Sequence, residues 1–217
     1  MISLLSETEV RIPSAGAMLG GILVIPEGAR EIVLFVHGSG SSRHSPRNRF
    51  VAHTLNRFGL ATLLFDLLTS QEESADAYSG EYRFDIALLA TRLGSATDWV
   101  SNRPDLRDLS IGYFGSSTGG AAALVASVER PGQIAAIVCR GSRTDMASRV
   151  LPRVTCPTLL IAGERDEAVL AWNRQSLTEL NCEKQIVVVP HATHLFEEFG
   201  GLERVADLAG NWFLQHS

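Results

Sequence analysis

The sequence predicts an α/β protein: one mostly parallel sheet with helices packed on both faces. Three observations carry this. Short apolar runs alternate with longer amphipathic ones along nearly the whole chain. Several of the short runs are apolar throughout rather than at every second residue, as strands buried on both faces must be. Tight Gly- and Ser-rich turns follow those runs.

The elements follow in order. Candidate strands are residues 19–25 (LGGILVI), 31–36 (EIVLFV), 60–65 (LATLLF), 110–114 (SIGYF), 134–139 (IAAIVC), 157–162 (PTLLIA) and 185–189 (QIVVV). No helical stretch separates the first two, which suggests an antiparallel edge pair. Between 84 and 100, Ile86, Leu89, Ala90, Leu93 and Val100 approximate a helical stripe. Near the end, Leu202, Val205, Ala206, Ala209, Trp212 and Phe213 do so more cleanly. Residues 121–128 form a third helical run. Strand–helix alternation implies right-handed crossovers covering both faces of the sheet. Residues 69–82 are the most polar stretch and read as a loop.

Composition bounds the function. At 217 residues, with 45% hydrophobic and 20% charged residues, the chain is long enough for one well-formed core, and residues 1–217 read as a single domain. Nineteen Lys and Arg against 24 Asp and Glu leave a net charge of −5, which argues against nucleic acid as a partner. No apolar run approaches the roughly 18 residues of a bilayer span. Residues 1–15 carry Glu7 and Glu9 and lack the basic and apolar regions of a signal peptide. The three cysteines, Cys139, Cys156 and Cys182, show no paired spacing, so neither a disulfide framework nor a thiolate metal site is expected. The expectation is a cytoplasmic protein, monomer or homodimer, acting on a small-molecule substrate without membrane, metal or cofactor.

Ligands of open parallel sheets bind beyond the carboxyl ends of the strands, so the residues just after each strand are the informative ones. After 110–114 comes Gly115-Ser116-Ser117-Thr118-Gly119, a GxSxG leading into the 121–128 helix. A nucleophile on so tight a strand-to-helix turn needs glycines beside it, and the helix N-terminus favours developing negative charge. Chance places about 0.15 such patterns in a chain of this composition, so the position between strand and helix matters more than the letters. The Gly112–Gly120 region lacks GxGxxG and follows a late strand, which speaks against a dinucleotide loop.

A serine hydroxyl needs a base and an acid that orients it. The strand at 157–162 is followed by Gly163-Glu164-Arg165-Asp166, and that at 185–189 by Pro190-His191-Ala192-Thr193-His194. Ser117, Asp166 and His194 thus sit in chain order on turns after three different strands. Glu164 is the reserve acid, and His191 lies directly at the strand end. The second oxyanion donor, beside the Thr118 amide, is expected from the loop His37-Gly38-Ser39-Gly40, with Ser39 as donor and His37 in a structural role. Arg43, His44, Arg140 and Arg143 follow strands on the same side. Arg43, His44 and Arg140 are candidate substrate-binding residues for a carboxylate or phosphate. The competing reading pairs the arginines with Asp66, Glu72 or Asp145 to hold loops.

At these residues the chain resembles the α/β-hydrolase superfamily, and within it the dienelactone-hydrolase-like branch of small lidless hydrolases. The matching segments are HGSGSSRHSPRN (37–48), LLFDLLT (63–69), GSSTGGAAAL (115–124), GERD (163–166) and ATHLFEE (192–198). The resemblance implies an eight-stranded, mostly parallel sheet without a cap, with Ser117 as nucleophile, Asp166 as acid and His194 as base. Dienelactone hydrolase proper carries a cysteine where this chain has Ser117. About 17 residues separate Cys139 from Pro157, too few for a helical lid, so an open site taking short or polar substrates is expected. The function implied is cleavage of carboxylic esters or thioesters through an acyl-enzyme. Acyl transfer, amide hydrolysis and a non-catalytic binding role are the alternatives.

Overall fold

The computed structural model describes residues 6–216, so the domain reading of 1–217 and the leader reading of 1–15 extend beyond it at residues 1–5 and 217. The chain runs β1 (Thr8–Ser14), β2 (Ala17–Val24), β3 (Glu31–Val36), α1 (Pro46–Arg57), β4 (Ala61–Phe65), α2 (Ser70–Ser79), α3 (Ile86–Ser101), β5 (Ser110–Ser116), α4 (Thr118–Glu129), β6 (Ile134–Arg140), β7 (Thr158–Gly163), α5 (Glu167–Glu179), β8 (Lys184–Val189) and α6 (Gly201–His216). Two short 3₁₀ turns, Thr144–Ala147 and Leu151–Arg153, lie between β6 and β7.

All eight strands form one sheet in the order β1-β2-β4-β3-β5-β6-β7-β8. The strands from β4 onward in that order are parallel, while β1–β2 and β2–β4 are antiparallel. The expected pairing of 19–25 with 31–36 is therefore wrong: β4 stands between β2 and β3. That placement covers both edges of the wholly buried β4, and leaves β1 to face water along its outer edge. β1 is the eighth strand that the periodicity did not show.

Side-chain alternation divides the core in two. Ile32, Leu34 and Val36 of β3 point into one layer, with Leu89 and Leu93 of α3 and Ala121–Leu124 of α4. Val33 and Phe35 point into the other, with Val51 and Leu55 of α1 and Val205, Ala209 and Phe213 of α6. Phe35 and Phe114 are tilted against each other in that second layer with ring centroids 4.9 Å apart.

Helices α1, α2 and α5 have no apolar stripe that the sequence reading registered. In α1, Ser45 caps the Asn48 N–H and Pro46 occupies the first turn. The stretch expected as a loop at 69–82 contains α2. Thr69 and Glu72 form a reciprocal capping box there, and Gly80 closes the helix in the left-handed region at φ 69°. Polar capping rather than hydrophobic periodicity forms this helix, so an apolar pattern search passes over it. No cap domain covers the strand ends among the described residues, and none of their helices is long and apolar enough to cross a membrane.

Candidate active site

The parallel strands all end on one edge of the sheet, which gathers the expected site residues there. Ser117 lies between β5 and α4 at φ 51°, ψ −122°, a conformation costing a non-glycine residue about 1–3 kcal/mol. Its backbone is held from both sides: its N–H donates to Arg140 O (3.2 Å), and its carbonyl accepts from Gly120 N (3.1 Å) and Arg143 N (3.0 Å). The flanking glycines are steric necessities. A β-carbon on Gly115 would lie 2.5 Å from Gly120 Cα, and one on Gly119 would overlap the Val36 carbonyl oxygen.

Asp166 opens α5, but its side chain makes no capping bond. Its Oδ2 instead receives His194 Nδ1 at 2.6 Å. That contact orients the ring and leaves Nε2 as its free nitrogen. The loop carrying His194 is anchored by the fully buried Phe196 and by Glu198 Oε1, which accepts from Thr193 N (3.0 Å) and Oγ1 (2.6 Å). His191 pairs outward with Glu164, its Nδ1 3.3 Å from Oε2, so the reserve acid and the nearer histidine face each other away from this centre.

Ser117 and His194 line one cavity of about 150 Å³, with Arg140, Arg47, Asn48 and Leu195 in its walls. The two side chains are not hydrogen-bonded to each other in this structure, as is common before a substrate draws such contacts together. Gly38 packs directly on Ser117: a β-carbon there would sit 2.9 Å from Ser117 Cβ. Ser39 and Thr118 are joined through their hydroxyls at 3.1 Å. Thr118 begins α4, where backbone N–H groups have no partner inside the helix. The loop's own turn uses Ser41 N–H to Gly38 O (3.2 Å) rather than the Ser39 amide. His37 is a strut: its Nε2 accepts from Leu67 N at 3.0 Å, its Nδ1 meets Gly38 O at 3.0 Å, and burial lowers its pKa.

The three candidate substrate-binding residues part company. Arg43 is engaged by the Asp66 carboxylate, with Glu9 3.8 Å from its Nε, and lines a separate surface depression with them. Its loop-holding reading holds, as does that of Arg143, which pairs with Asp145 at 2.8 Å and stacks on Trp172. His44 is exposed and lines a different cavity of about 540 Å³ beside the 37–47 loop. Arg140 does line the cavity of Ser117 and His194. It is 6% exposed, and no carboxylate lies within ion-pair distance among the described residues. Its Nη1 donates to Leu195 O (3.3 Å), its Nε has no hydrogen-bond partner among the described residues, and burial brings its pKa down to about 10, so it stays charged.

The sequence reading missed Asn48 and Arg47. Asn48 Oδ1 accepts from the Ser116 hydroxyl at 3.1 Å, tying α1 to the residue before Ser117, and Arg47 pairs with Glu197 at 2.6 Å. Their signal was present but indirect, since both close the 37–48 segment that carried the resemblance. The cysteines lie elsewhere: burial pushes the Cys139 thiol up to about 12 and that of Cys156 to about 11.

Comparison with known proteins identifies the family and the fold. Residues 19–203 match the model of the dienelactone hydrolase family. The crystal structure of a dienelactone hydrolase from Anabaena variabilis superimposes with a TM-score of 0.96 at 53% identity, covering 98% of each chain. Est1E from Butyrivibrio proteoclasticus shares the fold at a TM-score of 0.81 and 16% identity, over 96% of this chain and 98% of that one. A Mycobacterium tuberculosis protein named "Putative phosphoribosyl transferase Rv0571c" is 50% identical over 212 residues, 98% of this chain and 47% of that protein. The chain thus spans about half the length of that relative.

Proposed function

The chain belongs to the dienelactone hydrolase family, and on that footing we propose that it is a serine hydrolase cleaving carboxylic ester or thioester bonds of small substrates. The observation that carries this reading is the 2.6 Å contact of His194 Nδ1 with Asp166 Oδ2, in a ring that shares a cavity with the strained Ser117.

His194 Nε2 takes the Ser117 proton as Oγ attacks the carbonyl carbon, and Asp166 stabilises the resulting imidazolium. The amides of Ser39 and Thr118 hold the oxyanion, each such donor contributing about 2.7–4 kcal/mol to the transition state. His194 then passes the proton to the departing alcohol or thiol. It next draws a proton from water, which attacks the acyl-enzyme and releases the acid and free Ser117. Oxyanion donors fixed by Gly38 packing and by the Ser39–Thr118 bond require little reorganisation as charge develops.

Treatment with a fluorophosphonate probe tests the reading. Wild-type protein is expected to be labelled and to hydrolyse phenyl butanoate, and Ser117→Ala to lose both. A wild-type protein that neither labels nor turns over such an ester would leave the fold serving as a binding module.

A further inference from the structure

The 37–47 loop lines two cavities of different size. Both have Gly38, Ser39, Ser41, Ser45 and Arg47 in their walls. The smaller, about 150 Å³, contains Ser117, His194 and Arg140. The larger, about 540 Å³, lies toward α2 and is lined by Leu67, Leu68, Ala77 and Leu89, with Glu73, Asp76 and Arg83 among its polar walls. Such a volume lies within the range of small-molecule sites and admits a medium-length or aromatic acyl group.

The mechanism decides which half of an ester goes where. The atom that leaves must receive its proton from His194, so the leaving group lies on the His194 side. The acyl chain, bonded to the same carbonyl carbon, must then extend the other way, past Ser39 toward α2. We propose that the ester binds in this one direction, with an uncharged acyl group in the cavity beneath α2 and an acid-bearing leaving group against Arg140. This rests on the serine hydrolase reading above.

Charge supports the polarity. Arg140 is a buried guanidinium that donates to the Leu195 carbonyl and lies over the Phe196 ring at 5.7 Å, with no carboxylate within ion-pair distance among the described residues, and an anion beside it offsets the cost of burying that charge. A guanidinium also offers carboxylate or phosphate two parallel donors. On the α2 side the guanidinium groups are already paired. Arg47, which lines both cavities, meets Glu197 at 2.6 Å, and Arg83 is consumed by Asp76, which accepts from its Nε at 2.5 Å and from the backbone N–H groups of Tyr82 and Arg83. Glu73, on the same wall, has its pKa raised by partial burial and the field of Asp66, with Arg43 opposing. That same Asp76 clasp fixes the segment after α2, whose Arg83 carbonyl accepts from Ser39 Oγ at 3.4 Å, so the wall of the acyl cavity is tied to the oxyanion loop.

Two isomeric esters read the direction directly. In 3-carboxyphenyl butanoate the acid is on the leaving group; in phenyl hydrogen glutarate it is on the acyl group. Wild-type protein is expected to favour the first in kcat/KM by at least tenfold, chiefly through KM. Arg140→Gln should bring the ratio between 3-carboxyphenyl and phenyl butanoate toward one, with partial rescue by Arg140→Lys. Ala77→Trp, at an exposed helix position that lines the larger cavity, should depress phenyl octanoate relative to phenyl acetate by at least fivefold. Equal or reversed preference between the two isomers in the wild-type protein overturns the proposal, and needs no variant to fold. So does an Arg140→Gln protein that loses all esters by one common factor, or an unchanged chain-length profile in Ala77→Trp. Absence of fluorophosphonate labelling together with no turnover of phenyl butanoate is the separate failure of the hydrolase reading itself.

Discussion

Asp166 Oδ2 stands 2.6 Å from His194 Nδ1, although the two residues are 28 positions apart and follow different strands. Asp166 heads α5 without capping it, so its carboxylate is committed to the imidazole. Asp166→Asn keeps the shape and exchanges an acceptor for a donor, which favours the wrong ring tautomer. The expected outcome is a loss of about 10⁴ in kcat with little change in thermal stability, the size found where this exchange has been made in a Ser-His-Asp triad. Steady-state kinetics beside a melting curve checks it; a loss under tenfold would overturn the role proposed for Asp166. Glu164→Gln, at the residue facing His191, should leave kcat within twofold.

Gly119 is fixed by space rather than by φ. A β-carbon would overlap the Val36 carbonyl oxygen and come within 2.6 Å of that of His37, both backbone atoms at the end of a central strand. Gly119→Ala should therefore destabilise the fold by about 1–3 kcal/mol or more, since neither neighbour can rotate away. Because the strain falls on the turn that carries Ser117 and Thr118, fluorophosphonate labelling should slow as well. Urea unfolding gives the first quantity and timed labelling the second.

Glu31 begins β3 at the opposite end of the sheet from Ser117. It is 1% exposed, and neither carboxylate oxygen has a hydrogen-bond partner among the described residues. Burial pushes its pKa up to about 8. Between the ordinary glutamate value of 4.5 and about 8, the folded chain holds a proton that the unfolded chain has lost. Rising pH therefore costs stability in that window, up to about 1.4 kcal/mol per pH unit. Glu31→Gln, which cannot ionise, should flatten that part of the profile and be the more stable protein at pH 8. Urea titrations of both proteins at pH 5, 6.5 and 8 test this. Parallel curves would show that Glu31 finds a partner or water in solution.

The cysteines give a chemical contrast with Ser117. Cys139 and Cys156 are buried, with thiols raised well above neutrality, and the half-buried Cys182 is raised by burial too. Iodoacetamide at pH 7.5 should leave esterase activity intact while the fluorophosphonate abolishes it. Rapid inactivation by the thiol reagent would point to a cysteine in the reaction and away from Ser117.

By itself the sequence determined the α/β class, the strand-to-helix position of Ser117 and the order in which its partners follow. These are local facts: apolar runs without alternation, glycines where a turn leaves no room, and residues placed just after strands. Only the tertiary structure decided what depended on neighbours distant in the chain. It set β4 between β2 and β3 and supplied β1 as the outer edge. It folded 70–79 into a helix held by polar caps, which leave no mark in hydrophobic periodicity. It also chose between chemically identical candidates. Asp166 rather than Glu164 reaches His194, and Arg43 is claimed by Asp66 while Arg140 meets no carboxylate among the described residues. An arginine reads alike in any sequence; its meaning depends on whether folding brings an acid to it, and contacts across many residues are what a linear pattern does not encode.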